Sequence, residues 1–125
     1  AQFNLGLMYY EGRGVPQNYF KANELFSKAA NQGEAKAQSN LGSMYANGQG
    51  VPQDYLKAAE LFSKAANQGD AQAQFNLGLM YAKSQGVPQD YLKAKELFKK
   101  SCLNKLQAGC DVYAILNKNA THPSL

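Results

Sequence analysis

Apolar residues recur along this chain with the spacing of amphipathic helices. Between positions 35 and 46, one helical face at the i, i+4, i+7, i+8 spacing is made of Ala37, Leu41, Met44 and Tyr45. Between positions 55 and 67, a second apolar face is made of Tyr55, Ala58, Ala59, Leu61, Phe62, Ala65 and Ala66. The pattern therefore predicts two helices, helix A over 35–46 and helix B over 55–67.

The segments around these helices carry residues that end one helix and begin the next. Gly48 accepts the left-handed conformation that closes a helix, and Pro52 cannot continue one. Asp54 is placed to cap helix B, and Asp70 follows Gly69 at the position that caps the next helix A. The predicted unit is a pair of helices joined by a short turn.

The same unit occurs three times at a fixed interval of 36 residues. The segment Asn4-Leu5-Gly6-Leu7-Met8-Tyr9 returns at 40–45 and 76–81, and Gly14-Val15-Pro16-Gln17 returns at 50–53 and 86–89. A period of this length is typical of helical solenoids. We predict an all-α protein, an α/α superhelical solenoid of antiparallel helix pairs, with repeats at 1–36, 37–72 and 73–108 in a single domain.

A partial fourth copy follows the third repeat. Tyr113 and Leu116 stand where repeat three has Leu77 and Met80. No second helix follows in the sequence, so we expect residues 109–118 to form a capping helix over the last apolar face. The polar segment 119–125 is expected to be disordered.

Two recurring features predict how the helices pack. A glycine lies inside helix A of every copy, at Gly6, Gly42 and Gly78, where it costs about 1 kcal/mol relative to alanine. Its recurrence predicts a close approach to a neighbouring helix. The aromatic residues at core spacing are Tyr9, Tyr45, Tyr81, Phe26, Phe62 and Phe98.

Composition and charge narrow the classes of protein. Of 125 residues, 45% are hydrophobic and 18% are charged, which excludes disorder driven by low hydrophobicity. No apolar run approaches the ~20 residues of a membrane span. The chain begins with Ala1 and shows no signal-peptide pattern, so we expect a fragment or a processed form.

The positive charge is concentrated in the third repeat. The formal net charge is +4, and six of the 13 basic residues lie within 73–108. A nucleic-acid surface would spread basic residues along a face with aromatic residues between them. A solvated, lysine-rich last helix is the simpler interpretation, so we expect no nucleic-acid partner. We also expect the protein to be a monomer.

Catalytic chemistry finds little support. The single histidine, His122, lies in the predicted tail, and carboxylates such as Glu24, Glu60 and Glu96 recur with the repeat. Recurrence points to a structural role and not to one reacting centre. We expect neither enzymatic activity nor a cofactor or metal.

The repeat resembles a known family. The A-x-x-x-L-G-x-M-Y opening, the G-x-G-V-P-x-D-Y-x-K-A turn and the L-F-x-K-A-A-x-x-G close are similar to the Sel-one-like repeat, a relative of the tetratricopeptide repeat. The resemblance covers about residues 1–105. It implies a bacterial protein-interaction scaffold that binds a peptide or a partner protein on its concave face.

In related repeats, helix A lines the concave face and side-chain amides there hold an extended peptide. A stripe beside the core face of helix A recurs here, and asparagine occupies one of its positions in every copy. An amide suits backbone recognition because it both donates and accepts, but it could equally bond a neighbouring repeat. The predicted partner-binding residues are Asn4, Leu7, Asn40, Ser43, Asn76, Leu79, Lys83, Phe3 and Phe75.

Cys102 and Cys110 form a second candidate feature. Cys102 replaces a small residue expected to be buried, Ala66 in repeat two, whereas Cys110 replaces Gln74, which is not such a position. A disulfide explains both substitutions, and two free thiols are the alternative. The pair resembles the cysteine-rich, secreted branch of the family, although only the last repeat carries it. A disulfide implies the periplasm or the exterior, with a cytoplasmic location as the alternative.

The cysteine-rich branch also supplies an alternative function. Some of its members are described as binding or slowly hydrolysing penicillin-type compounds. The alternative is therefore a cell-wall or β-lactam-related protein with weak penicillin binding or hydrolysis. Serine enzymes of that class use a Ser-x-x-Lys motif, and no serine here has lysine three positions later.

Overall fold

Residues 2–118, which the computed structural model describes, form seven α-helices and no strand. In chain order they are α1 (Gln2–Glu11), α2 (Tyr19–Asn31), α3 (Ala35–Asn47), α4 (Tyr55–Asn67), α5 (Ala71–Lys83), α6 (Tyr91–Leu103) and α7 (Gln107–Lys118). Helices α1, α3 and α5 are helix A of the three repeats, and α2, α4 and α6 are helix B. Each helix packs on the next through a short connection, which gives the predicted all-α solenoid of antiparallel helix pairs.

The bounds of the helices follow the sequence prediction closely in the second repeat. Helix α4 has the predicted range, and α3 ends at Asn47, one residue beyond the prediction. Helix α7 begins at Gln107, two residues before the predicted start at 109. The chain has already turned at Lys105, which has a φ of 74°. The predicted disordered segment, 119–125, lies outside the described residues.

Polar side chains cap the helices at the predicted positions. Asn18, Asp54 and Asp90 each accept a hydrogen bond of 3.0 Å from the backbone N–H three residues later. Asp70 caps α5 by accepting from the N–H of Ala73 at 2.8 Å. A cap of this kind contributes about 1 kcal/mol. The predicted caps Asp54 and Asp70 are confirmed.

The turn after helix A packs on the preceding repeat. Gly48 ends α3 with a φ of 67°, and its N–H donates to the carbonyl of Met44. Two residues later, Gly50 has a φ of 73°, and a Cβ there would lie 2.7 Å from the carbonyl oxygen of Tyr19. Glycine is therefore needed at this position both for its conformation and for the approach of one repeat to the next.

The glycine inside each helix A leaves room for the phenylalanine of helix B. The pairs are Gly6 with Phe26, Gly42 with Phe62 and Gly78 with Phe98, and a Cβ on the glycine would lie 2.8, 2.9 and 3.0 Å from Cε1 of the ring. The three rings are at most 2% exposed. The predicted close approach is confirmed, and its partner is the main core residue of the same repeat.

The core continues from one repeat to the next. Leu61 of α4 joins the cluster around Phe26, and Leu97 of α6 joins the cluster around Phe62. The predicted aromatic core is confirmed for the phenylalanines. The tyrosines of the predicted set, Tyr9, Tyr45 and Tyr81, are half-buried and pack against the clusters from outside.

A buried amide joins helix A to the end of the preceding helix B. Gln38 Nε2 donates to the carbonyl of Ala30 at 3.3 Å, and Gln74 Nε2 donates to the carbonyl of Ala66 at 3.1 Å. Both glutamine side chains are buried, with 5% and 4% exposure. The repeat position of Cys110 is therefore buried in repeats two and three, which sequence reasoning did not recognise, and Cys110 itself is half-buried.

The end of helix B of the same repeat completes this contact. Gln38 Oε1 accepts from Gln68 Nε2 at 2.9 Å, and Gln74 Oε1 accepts from Asn104 Nδ2 at 2.9 Å. Each buried amide thus links three consecutive helices, because its two ends bond different neighbours. A buried polar group without such partners would cost about 1–3 kcal/mol.

In the last described pair of helices, the Cys102–Cys110 disulfide takes the place of the glutamine hydrogen bond. The two cysteines stand at the repeat positions of Ala66 and Gln74, and their Cα atoms are 4.4 Å apart. The disulfide that the sequence favoured is present in the structure. A covalent bond therefore fixes α7 on α6 where a hydrogen bond fixes α5 on α4.

A second pair of substitutions relative to the earlier repeats accompanies the disulfide. Where α4 and α5 have Ala65 and Ala73, α6 and α7 have Ser101 and Gly109. Ser101 is fully buried and donates to the carbonyl of Phe98 at 2.9 Å. A Cβ on Gly109 would clash with Ser101 Oγ. The larger residue on α6 is thus matched by a smaller one on α7.

Replacing Gly42 with alanine should destabilise the protein. The new methyl group would overlap the buried Phe62 ring, at a cost of about 1–3 kcal/mol, against a gain in helix propensity of about 1 kcal/mol. We expect a net loss of up to about 2 kcal/mol in the free energy of unfolding in urea. In a Phe62→Leu background the same substitution should cost less, since the ring is gone. An equal cost in both backgrounds would show that the ring is not the obstacle.

The variant Cys102→Ala/Cys110→Gln should restore the hydrogen bond that repeat two uses. Its free energy of unfolding should exceed that of Cys102→Ala/Cys110→Ala by about 1 kcal/mol, because the alanine pair lacks the amide. It should fall below that of the oxidised protein, whose short disulfide loop contributes roughly 2.5 kcal/mol. Intact mass after alkylation without reductant establishes the oxidised state, in which neither thiol is labelled. Equal stability of the two double variants would refute the proposed equivalence.

Candidate partner-binding groove

Three connected depressions run along helices α1, α3 and α5. The first, of about 270 Å³, lies between α1 and α3, the second, of about 190 Å³, lies between α3 and α5, and the third, of about 210 Å³, lies near the start of these helices. Asn40 lines the first and third, and Ser43 lines the first and second. The three depressions therefore form one surface, the helix A groove.

Most of the predicted partner-binding residues line this groove. They are Phe3, Leu7, Asn40, Ser43, Asn76, Leu79 and Lys83. Asn4 is exposed on α1 but lines none of the three depressions. Phe75 also lies outside them, because its ring packs edge-on against Phe98 with 5.4 Å between centroids. Phe3 lines the third depression while its ring contacts Phe26 at 5.7 Å between centroids.

The asparagine side chains make few internal hydrogen bonds. Asn40 and Asn76 are half-buried, and Asn4 is exposed. Within residues 2–118, these three side chains take part in one hydrogen bond, which Gln72 Nε2 donates to Asn76 Oδ1 at 3.2 Å. None of them bonds the backbone of a neighbouring repeat, which was the alternative role considered from the sequence. The amides of Asn40 and Asn76 therefore add polar groups to the groove surface.

Polar contacts between repeats hold the rim of the groove. Tyr10 Oη donates to Gln49 Oε1 at 3.1 Å, and Gln85 Nε2 donates to Tyr55 Oη at 3.5 Å. Tyr10, Tyr55 and Gln85 also line the depressions. Sequence reasoning did not include them, although Gln49 and Gln85 recur at the repeat interval.

Three charged residues outside the groove take part in framework contacts. Lys93 Nζ lies 5.3 Å from the centre of the Tyr81 ring, and Lys95 Nζ lies 5.9 Å from that of Tyr113, within the range of cation–π contacts. Asp111 accepts from Gln107 at 2.9 Å. In the part of the chain that the structure describes, no three His, Cys, Asp or Glu side chains are grouped to hold a metal ion.

A second surface feature was not found from the sequence. Phe20, Leu56 and Leu92 occupy the same position on the three B helices and are 73%, 62% and 71% exposed. Their recurrence at the interval of 36 residues was the available signal. Large exposed apolar side chains in a row are candidates for contact with another molecule, but they lie on the other helices from the groove.

The fold and the groove define a helical-repeat protein with an open surface between its repeats. The Sel1 repeat model matches residues 1–34, 35–70 and 71–105. The chain belongs to the Sel1 repeat family, which confirms the resemblance seen in the sequence. Proteins of this family generally act as protein-interaction scaffolds and are typically not enzymes. None of the helices within residues 2–118 has both the length and the apolar character needed to cross a bilayer.

Solved structures with the same fold include two bacterial Sel1-like repeat (SLR) proteins. A protective antigen of uropathogenic Escherichia coli with an SLR fold is 35% identical with a TM-score of 0.91, over 95% of this chain and 26% of that one. A Sel1 repeat protein from Oxalobacter formigenes is 30% identical with a TM-score of 0.87, over 92% of this chain and 47% of that one. This chain thus spans about a quarter and about a half of these proteins.

A third similar structure is that of a protein named as cysteine-rich. Helicobacter pylori cysteine-rich protein B is 27% identical with a TM-score of 0.76, over 88% of this chain and 85% of that one. Comparison with curated proteins by sequence finds no match. The structural relatives therefore support the repeat fold, and the disulfide of the last repeat agrees with the cysteine-rich resemblance.

Proposed function

We propose that the protein is a scaffold that binds an extended segment of a partner protein in the helix A groove. The observation that carries the proposal is the continuity of the groove, because Asn40 and Ser43 each line two of its depressions. A segment lying across the helices can reach α1, α3 and α5 in succession. The partner is a protein or a peptide, and the scaffold acts without a cofactor.

The groove would contact the bound segment in two ways, through hydrogen bonds to its backbone and through apolar contacts with its side chains. The amides of Asn40 and Asn76 can donate to and accept from the backbone of the bound segment. The half-buried side chains of Leu7 and Leu79 supply apolar contact on either side of Ser43. The capped helices and the continuous core hold these residues in place before binding, which lowers the entropic cost of association.

Replacing Asn40 with alanine should weaken binding without unfolding the protein. The probe is a peptide selected on the immobilised protein from a displayed library of random twelve-residue sequences. Loss of its backbone hydrogen bonds should raise Kd about 3- to 30-fold by fluorescence anisotropy. The free energy of unfolding should change by less than about 0.5 kcal/mol, as for other surface substitutions.

The matched control is Asn31→Ala, which removes an exposed asparagine at the end of α2, away from the groove. This control should leave Kd unchanged. If Asn40→Ala kept the affinity and lost stability instead, the amide would be structural and the proposed contact would be wrong.

We also propose that the protein acts in an oxidising compartment, as a periplasmic or secreted monomer. The support is the Cys102–Cys110 disulfide and the likeness to the Helicobacter pylori cysteine-rich protein. Disulfides persist in the periplasm and outside the cell, whereas cytosolic thiols are kept reduced. A cytoplasmic location is the alternative, and two alkylated thiols in the protein from its native source would establish it.

The alternative function is weak penicillin binding or hydrolysis, which the sequence resemblance to the cysteine-rich branch implies. Hydrolysis of nitrocefin by the oxidised, folded protein is the direct assay. We expect no turnover above buffer, because no serine carries the Ser-x-x-Lys motif. Turnover that disappears when the same sample is unfolded would favour the alternative.

A further inference from the structure

At one position in the last turn of helix A, the groove changes its charge in every repeat. The last turn of helix A carries Glu11 in α1, Asn47 in α3 and Lys83 in α5, all at the same repeat position. Glu11 is paired with Arg13 at 2.7 Å in an exposed salt bridge. The first depression is therefore lined by a glutamate whose carboxylate has its own counter-ion, whereas the second is lined by Lys83.

The second depression combines one cation with several hydrogen-bond donors. Ser43, Asn47, Asn76 and Gln85 line it together with Lys83, and no carboxylate is among its lining residues. Hydroxyl and amide groups can all donate, and the ammonium carries three donors. A site of this composition favours an anionic group over a neutral one.

The carbonyls of Met80, Tyr81 and Ala82 at the end of α5 have partners other than Lys83. The carbonyl of Met80 accepts from the N–H groups of Ser84 and Gln85, and that of Ala82 accepts from Gln89 Nε2 at 3.1 Å. Lysine and arginine side chains can bond such carbonyls when they are free. Among the described residues, the Lys83 side chain makes no hydrogen bond or ion pair, and Lys83 lines the depression.

We infer that the depression between repeats two and three is a subsite for a carboxylate side chain of the bound peptide. This inference rests on the proposed function and adds the chemistry of the partner. A carboxylate there would form a charge-assisted bond with Lys83 and accept from the neighbouring amides. Leu79 and Met80 line the same depression and would contact the methylene groups of an aspartate or glutamate side chain. The partner segment is therefore acidic at the end that meets repeat three.

The test compares peptides selected on three forms of the protein: wild type, Lys83→Gln and Lys64→Gln. The last is a matched control, since Lys64 is an exposed lysine of α4 that lines none of the groove. All three are screened with the same displayed library of random twelve-residue peptides. Peptides selected on the wild type and on Lys64→Gln should carry aspartate or glutamate at one register position. Selection on Lys83→Gln should lose this preference.

Binding measurements on one selected peptide quantify the subsite. Changing its acidic residue to the amide should weaken binding to the wild type about tenfold, as expected for loss of a charge-assisted bond. The same change should have little effect with Lys83→Gln. Affinity for the acidic peptide should fall as salt rises, whereas that of the amide peptide should not.

The outcomes separate this inference from the proposed function. Peptides that need Asn40 but show no acidic preference, or that bind Lys83→Gln and Lys64→Gln equally, would overturn the carboxylate subsite and leave the groove function standing. If the folded wild type selects no peptide, both proposals fail. Displacement of the acidic peptide by a single-stranded oligonucleotide at the same charge concentration would assign the anion to nucleic acid and also overturn the subsite.

Discussion

The contact between a glycine of helix A and a phenylalanine of helix B determines how every repeat packs. Because the glycine has no side chain, the ring can lie against the backbone of the opposite helix. The resulting close approach also explains why a second core position of each helix B is small: Ala22, Ala58 and Ala94 are fully buried on the three B helices. A larger residue at any of these sites would force the pair apart, and interiors packed at this density do not absorb extra methyl groups easily.

Contacts between repeats build on that pair and, besides the tyrosine–glutamine hydrogen bonds beside the groove, are of three kinds. A leucine from each later helix B enters the preceding cluster, a glycine turn packs on the start of the preceding helix B, and a buried amide bridges helix ends. The last pair of helices keeps the geometry with different chemistry. The disulfide replaces the amide, and Ser101 with Gly109 replaces two alanines.

The framework was predictable from the sequence because its signals are local or repeated. Caps, turns and apolar spacing act within a few residues, and a threefold recurrence at 36 residues makes each signal stronger. The burial of Gln38 and Gln74 was missed because a glutamine is usually exposed, and only tertiary structure shows the carbonyl and amide partners that make its burial favourable. Phe75 was assigned to the groove, but its ring packs on the core phenylalanine, which helical spacing alone could not distinguish.

In the proposed function the partner lies on helix A, and the repeated framework only holds helix A in position. Chemical-shift mapping of the ¹⁵N-labelled, oxidised protein with a selected peptide tests this most directly, because it reports contact at every amide without a substitution. Binding in the helix A groove should give the largest shifts on α1, α3 and α5, around Asn40, Ser43 and Leu79. Shifts confined to α2, α4 and α6 around Phe20, Leu56 and Leu92 would contradict it and place binding on the exposed apolar row.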